Sequence, residues 1–168
     1  MKKQKGFTLI ELLVVIAIIA ILSTVVMAGL NSARAKGRDA KRLSDVKSLQ
    51  KALDLYYDTC GGYPALGDGA YADIATGAGN LNVDTFDGTC DATQAFGTFM
   101  NPLPVNPLPN GSTYTYCSTA DDAVVGVASC DIAESKSYQI TFSIENSAGS
   151  LTTSGDYVLT PTGIQPAP

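Results

Sequence analysis

The feature that most constrains this chain is a long apolar segment near its N-terminus, from Phe7 to Leu30. Between Leu12 and Ala33 it has 22 consecutive residues without a charged side chain. An α-helix rises about 1.5 Å per residue, so this stretch is long enough to span a bilayer core roughly 30 Å thick. The basic residues Lys2, Lys3 and Lys5 precede it, and the positive-inside rule then predicts a cytoplasmic N-terminus. The chain is therefore expected to enter the cytoplasmic membrane as a single-pass precursor.

An ordinary secretory signal peptide or a plain membrane anchor would show similar hydropathy. The apolar run is longer than the 7–15 residues of a typical signal-peptide core, and Glu11 interrupts it near its start. By translocon scales an acid at the centre of a membrane helix costs about 2.5–3.5 kcal/mol, and less near the end of the span. Glu11 is therefore either a boundary carboxylate that reaches the headgroups or an acid that needs a cationic partner.

The residues around this acid resemble a known motif. Gly6 to Ile16 reads GFTLIELLVVI, which resembles the prepilin cleavage and methylation motif shared by type IV pilins and type II secretion pseudopilins. The resemblance covers residues 1–36 and extends, through the amphipathic continuation and Tyr63-Pro64, to about residue 64. It implies that a membrane aspartyl prepilin peptidase removes a leader, residues 1–6, by cutting between Gly6 and Phe7. The same enzyme is then expected to N-methylate the new Phe7 amine.

This processing suggests a role for Glu11 in assembly. Cleavage creates an α-ammonium at Phe7, and methylation keeps its charge. In a helical stack of subunits that ammonium would neutralise Glu11 of a neighbouring copy. Desolvation offsets much of the attraction in such a pair, but an unpaired buried acid is costly, so we hypothesise that the pair selects the register of assembly. Many relatives carry a proline at the position of Ala28, where the helix melts during assembly. This chain lacks that proline, so local melting there is less expected. Gly29, which destabilises a helix by about 1 kcal/mol relative to Ala, is the remaining residue that would favour it.

Residues 31–60 predict a second, amphipathic half of the same helix, which should end near Cys60-Gly61-Gly62. Apolar residues recur at spacings of three and four and predict one buried stripe: Leu43, Val46, Leu49 or Gln50, Leu53, and Tyr56 or Tyr57. Charged residues are expected mostly on the other sides of the helix: Asp39, Lys41, Arg42, Asp45, Lys47, Lys51 and Asp54.

Seven basic residues lie between Arg34 and Lys51, and three interpretations of this cluster remain open. It is a solvated helix face, a contact for anionic lipid headgroups before assembly, or a partner for acidic heads in a filament. After Lys51 there is one basic residue, Lys136, against thirteen acids. This acidity disfavours binding to phosphate backbones, so no nucleic acid partner is expected.

The rest of the chain predicts a small head domain. Residues 61–112 should be an irregular region with a short helix near 93–100, and the repeated NPLP at 101–104 and 106–109 indicates a stiff surface turn. Within 113–168, strands are expected at 113–118, 138–145 and 156–160, followed by a C-terminal tail. The predicted fold class is α+β: a long N-terminal helix, membrane-spanning over 7–30, packed on a small antiparallel sheet, as in pilins.

Four cysteines follow the membrane segment, where oxidation is expected. Of the three possible pairings, we favour Cys60 with Cys90 and Cys117 with Cys130; free buried thiols are the alternative. No zinc site is expected, because the chain has no His and no CxxC motif. Three acids, Asp121, Asp122 and Asp131, are candidate calcium ligands, but their spacing matches no EF-hand loop, and solvated loop acids are the favoured interpretation.

These observations favour a structural role over an enzymatic one, with no catalytic residues and no cofactor. The first function predicted is a subunit of a type IV pilus-like filament, and the alternative is a type II secretion pseudopilin; a DNA-uptake pilin or an adhesin is less favoured. Expected partners are further copies of the chain, the prepilin peptidase, an inner-membrane assembly platform with its ATPase, and the membrane before assembly. The final location is an extracytoplasmic filament at the cell surface.

Overall fold

The computed structural model describes residues 6–64, 72–74, 96–107, 113–119, 130 and 136–168. Within these residues, the helix α1 (Leu9–Cys60) is followed by five strands and a short 3₁₀ helix, Phe96–Thr98. The strands are β1 (Ala72–Asp73), β2 (Thr115–Thr119), β3 (Ser137–Ile144), β4 (Gly155–Thr160) and β5 (Gly163–Pro166). Each strand pairs antiparallel with the next along the chain, which confirms the predicted α+β fold with an antiparallel meander.

The helix is continuous for 52 residues, or about 78 Å. It includes Gly29 without interruption and ends at Gly61, whose φ of 78° is left-handed and whose backbone N–H donates to Tyr57 O at 2.8 Å. Glycine adopts this conformation without the steric penalty that a Cβ brings. The predicted end of the helix near Cys60-Gly61-Gly62 is thus confirmed.

The core lies between the second half of α1 and one face of the sheet. The helix contributes the predicted stripe, and the structure settles its two ambiguous positions, because Leu49 and Tyr56 are buried whereas Tyr57 is 40% exposed. On β3, Tyr138, Ile140, Phe142 and Ile144 are buried against the helix side. The helix stripe therefore covers the apolar face of the sheet, as expected.

The sheet differs from the prediction at its two edges. The strand β1 lies within the region expected to be irregular, and β5 lies within the expected C-terminal tail. On β3, Gln139 is buried although its position in the strand alternation predicts exposure. It pairs in register with Cys117, which is also buried and is disulfide-bonded to Cys130, so the sheet is covered on its second face at this corner.

Candidate assembly site

The first half of α1 has no packing partner in the part of the chain that the structure describes. Every side chain described between residues 6 and 34 is exposed, including Phe7 at 88%. By length and composition α1 qualifies as a membrane-crossing helix. Because large apolar surfaces are unfavourable in water, this half needs a lipid environment or the surfaces of other protein chains.

Glu11 caps the start of its own helix. Thr8 is the N-cap residue and completes a capping box: its backbone N–H and its hydroxyl both donate to Glu11 Oε2, at 2.8 and 2.7 Å. The backbone N–H of Glu11 donates in return to the Thr8 hydroxyl at 3.3 Å. Such reciprocal bonds satisfy otherwise unpaired donors of the first turn. Among the described residues nothing bonds to Oε1, so one carboxylate oxygen remains open to another molecule.

Two hydroxyl side chains lie midway along the apolar half. Ser23 donates to Ile19 O and Thr24 donates to Ile21 O, each at 2.7 Å. Such back-bonding lets a polar residue sit on an apolar helix without an unsatisfied hydroxyl, and it often bends helices slightly. Both groups are therefore compatible with burial of this helix in lipid or protein.

A buried ionic cluster fixes the point where α1 meets the head. Arg42 is wholly buried. Its Nε donates to Asn106 Oδ1 at 2.8 Å, its Nη2 to Pro107 O at 2.8 Å, and its Nη1 to Asp39 Oδ1 at 2.7 Å and Glu145 Oε1 at 2.9 Å. We call Arg38, Asp39, Arg42, Asn106 and Glu145 the polar joint. It ties the helix to the proline-rich segment and to the end of β3.

The two acids of the polar joint are held by several donors each. Asp39, also wholly buried, accepts the backbone N–H groups of Glu145 and Asn146 at 2.9 and 2.7 Å. Arg38 forks onto the two carboxylate oxygens of Glu145. The hydrogen bond from Arg38, supported by that from Arg42, outweighs partial burial and lowers the pKa of Glu145 to about 2.

The expectation that Asp39 and Arg42 lie on solvated sides of the helix is wrong. Counting back from Val46 by four and then by three residues reaches Arg42 and Asp39, so both lie on the extension of the buried stripe. The missed signal is this spacing, which continues the stripe through charged residues. Burial is tolerated because each charge is paired and hydrogen-bonded.

The basic cluster therefore divides into two sets. Arg38 and Arg42 belong to the polar joint, and Lys41 pairs with Asp45 at 2.7 Å. The other four, Arg34, Lys36, Lys47 and Lys51, make no ion pair with any residue that the structure describes. Within the described structure, these four are the members of the basic cluster left for lipid or for another subunit.

One of the two expected disulfides, Cys117–Cys130, is present, with the Cα atoms 5.3 Å apart. Cys60 is also disulfide-bonded, whereas Cys90 lies outside the described residues. The calcium candidates Asp121, Asp122 and Asp131 likewise lie outside them, and within the described ranges no group of three or more metal-ligating side chains occurs.

Comparison with known proteins identifies related sequences. Residues 1–27 match the family model of the prokaryotic N-terminal methylation motif. The type II secretion system core protein G of Vibrio cholerae is 31% identical over 127 residues, which are 76% of this chain and 80% of the relative. The protein of the same name from Klebsiella pneumoniae is 29% identical over 129 residues, 77% of this chain and 85% of the relative. That from Escherichia coli is 40% identical over 67 residues, 40% of this chain and 46% of the relative.

No solved structure matches the chain with comparable significance. The long helix on an antiparallel sheet, together with the N-terminal motif, defines a prepilin-type subunit made as a membrane-anchored precursor. The chain belongs to the family of type II secretion system core protein G, the pseudopilin branch of that class.

Proposed function

We propose that this chain is a structural, non-enzymatic subunit of a type II secretion pseudopilus. The observation that carries the proposal is a helix whose apolar half packs against nothing in the described chain while its other half is built into a folded head. The relatives are named type II secretion system core protein G, which corresponds to the alternative function predicted from the sequence. We therefore favour the pseudopilin over the type IV pilus subunit.

In this proposal the precursor is inserted with residues 1–6 in the cytoplasm, and the peptidase cuts after Gly6 and methylates Phe7. The assembly platform and its ATPase then extract residues 7–30 from the membrane into a filament core of further copies. Lateral contact with other helices replaces lipid around the apolar half, so its surface stays out of water throughout. Residues 31–168 remain on the extracytoplasmic side.

Glu11 links processing to assembly in this scheme. Thr8 holds the carboxylate through Oε2, and the open Oε1 accepts the methylated ammonium of Phe7 from a neighbouring copy. A charge-assisted bond of this type is shorter and stronger than a neutral one. Its main effect is selective, because a copy out of register leaves Glu11 without a countercharge in apolar surroundings.

Replacing Glu11 with Gln separates the two roles of this residue. The amide oxygen can still accept the Thr8 N–H, so the helix cap and processing should persist, but the charge is lost. We expect mass spectrometry to show loss of residues 1–6 and a methylated Phe7, with few or no filaments by electron microscopy. Thr8→Ser, which retains the hydroxyl and the acid, is the matched control and should assemble. Normal filaments from Glu11→Gln would refute the charge-pairing role.

A deletion of the gene tests the system to which the filament belongs. Loss of secreted proteins from the medium, restored by the intact gene, supports the pseudopilin. Normal secretion together with the disappearance of long surface fibres would instead support the type IV pilus. A mature protein that keeps its first six residues would contradict both.

A further inference from the structure

A charged face of α1 lies on the side of the helix away from the sheet. It consists of Lys47, Lys51, Asp54 and Asp58, all of them exposed. At 100° per residue these four positions fall within about 60° of one another around the axis, and the centre of the group lies about 130° from the centre of the buried stripe. None of the four makes an ion pair or a side-chain hydrogen bond with any residue in the described ranges. We call them the KKDD face.

The order of the charges along the KKDD face favours one axial displacement between two parallel copies. Lys47 precedes Asp54 by seven residues, and Lys51 precedes Asp58 by the same seven. A displacement of seven residues is about 10.5 Å along a helix. When two parallel copies of the face lie side by side without displacement, each charge meets its own sign. When one copy is displaced by about 10.5 Å, both lysines of one meet both aspartates of the other.

We propose that the KKDD face is a docking surface for a second copy of this chain, lying parallel and displaced by one heptad, about 10.5 Å. The inference rests on the proposed filament function, which makes every copy enter the membrane in the same direction. An antiparallel pair would also match charges, joining Lys47 to Asp58, but copies drawn from one membrane cannot adopt it. A lipid surface is a poorer occupant because two cations and two anions give the face no net charge to attract headgroups.

The same displacement suits the N-terminal contact. Glu11 precedes Lys47 by 36 residues, which is ten turns of an ideal helix, so Glu11 and the KKDD face lie on one side of α1. With the copies displaced by seven residues, Glu11 of one copy lies within about one helical turn of the axial level of Phe7 in its neighbour. One geometry therefore accommodates both the buried contact and the exposed one.

Cross-linking between two differently tagged, full-length copies tests the displacement directly. One copy carries Lys47→Cys and the other Asp54→Cys, and a short bifunctional maleimide joins them in assembled filaments. We expect the 47–54 pair to cross-link, and the 47–47 and 47–58 pairs to give little product. Unsubstituted chain supplies the background from the native cysteines. A 47–58 product as strong as the 47–54 product, or no 47–54 product in intact filaments, overturns the inference.

Charge reversal tests the energetics. K47D/K51D makes the face wholly acidic, and D54K/D58K makes it wholly basic; each should lose filaments and the 10.5 Å contact. Two exposed ion pairs correspond to roughly a 2- to 30-fold change in the equilibrium of each contact, and filaments multiply it along their length. The fourfold exchange K47D/K51D/D54K/D58K restores complementary pairs and should restore assembly.

The fourfold exchange also controls for folding, since it changes all four positions and leaves the net charge unaltered. Wild-type filament levels from either doubly reversed chain, or failure of the fourfold exchange to recover them, overturn the docking surface while leaving the proposed function intact. Failure of the unsubstituted, processed chain to form any filament would count against the proposed function instead.

Discussion

Replacement of Arg42 with Met is the sharpest test of how the helix is attached to the head. Methionine keeps a flexible, unbranched side chain and supports a helix, but it lacks the guanidinium and removes four hydrogen bonds, those to Asp39, Glu145, Asn106 and Pro107. Glu145 retains its fork from Arg38. The damage therefore concentrates on Asp39, a wholly buried acid that loses its directly bonded cation.

Breaking a buried ion pair by removing one partner typically costs 3–5 kcal/mol. Asp39 keeps two backbone N–H donors, which places the expected loss near the lower end, at about 3–4 kcal/mol. Domains of this size are stable by about 5–15 kcal/mol, so the loss is a large fraction of the total. With a urea m-value of about 2 kcal/mol/M, the unfolding midpoint should fall by about 2 M.

The assay is urea unfolding of the mature, disulfide-intact protein in detergent, followed by circular dichroism. Lys47→Met is the matched control: it removes a cation from the same helix at an exposed position, and it should change the unfolding free energy by no more than about 0.5 kcal/mol. Adding Asp39→Asn to Arg42→Met should recover part of the loss, because the uncompensated charge is gone. A midpoint for Arg42→Met equal to or above that of wild type would refute the reasoning, since it would mean that the desolvation of the pair outweighs its attraction.

Two further variants test other parts of the structure. The pKa of Glu145 is near 2 in the folded chain and ordinary, about 4.5, when unfolded. The unfolded state therefore binds the proton first as pH falls, and stability should decline between about pH 5 and 2; in Glu145→Gln this decline should be shallower, and an identical pH profile by urea titration would contradict the assignment. Gly149 has a φ of 59°, and a Cβ there would lie 2.9 Å from a Leu43 methyl carbon, so Gly149→Ala should destabilise by about 1–2 kcal/mol. The control Gly37→Ala, in open helix surface, should instead stabilise by about 0.5–1 kcal/mol; equal midpoints for the two variants would show that neither backbone effect operates.

The sequence predicts the helix and the order of the main strands because both depend on local periodicity. The 3.6-residue pattern of α1 and the two-residue pattern of β3 are each long enough to identify the element and its buried side. Spacing alone leaves Leu49 and Gln50 equally placed, and only packing against the sheet selects Leu49. The edge strand β1 has two residues and β5 has four, too few to establish a pattern.

The polar joint is harder to predict because its partners are distant in the chain. Asn106 and Glu145 follow Arg42 by 64 and 103 residues, so no local spacing identifies them. Hydrophobic periodicity also assigns charged residues to the exposed side by default. The capping box at Thr8 and Glu11 is the opposite case, because a Thr followed three residues later by Glu is a local sequence signal for the start of a helix. The resemblance to the prepilin motif explains the charge of Glu11 but does not predict its capping role.

The position of the polar joint explains why it contains charges and not apolar side chains. The joint lies just after Ala35, the first residue of α1 that the structure describes as buried. Among the described contacts it is therefore close to the N-terminal limit of the region in which the head can set the orientation of the helix. Apolar contact is non-directional and would tolerate rotation or sliding, whereas a guanidinium that bonds four groups in fixed directions does not. If α1 rotated about its axis by one residue position, about 100°, the KKDD face would leave its exposed orientation. Any contact that depends on this face would then be misaligned. A rigid joint therefore fixes the orientation of the KKDD face on the helix that also carries Glu11. Two neighbouring copies can then satisfy the Glu11 contact and the KKDD contact at the same axial displacement.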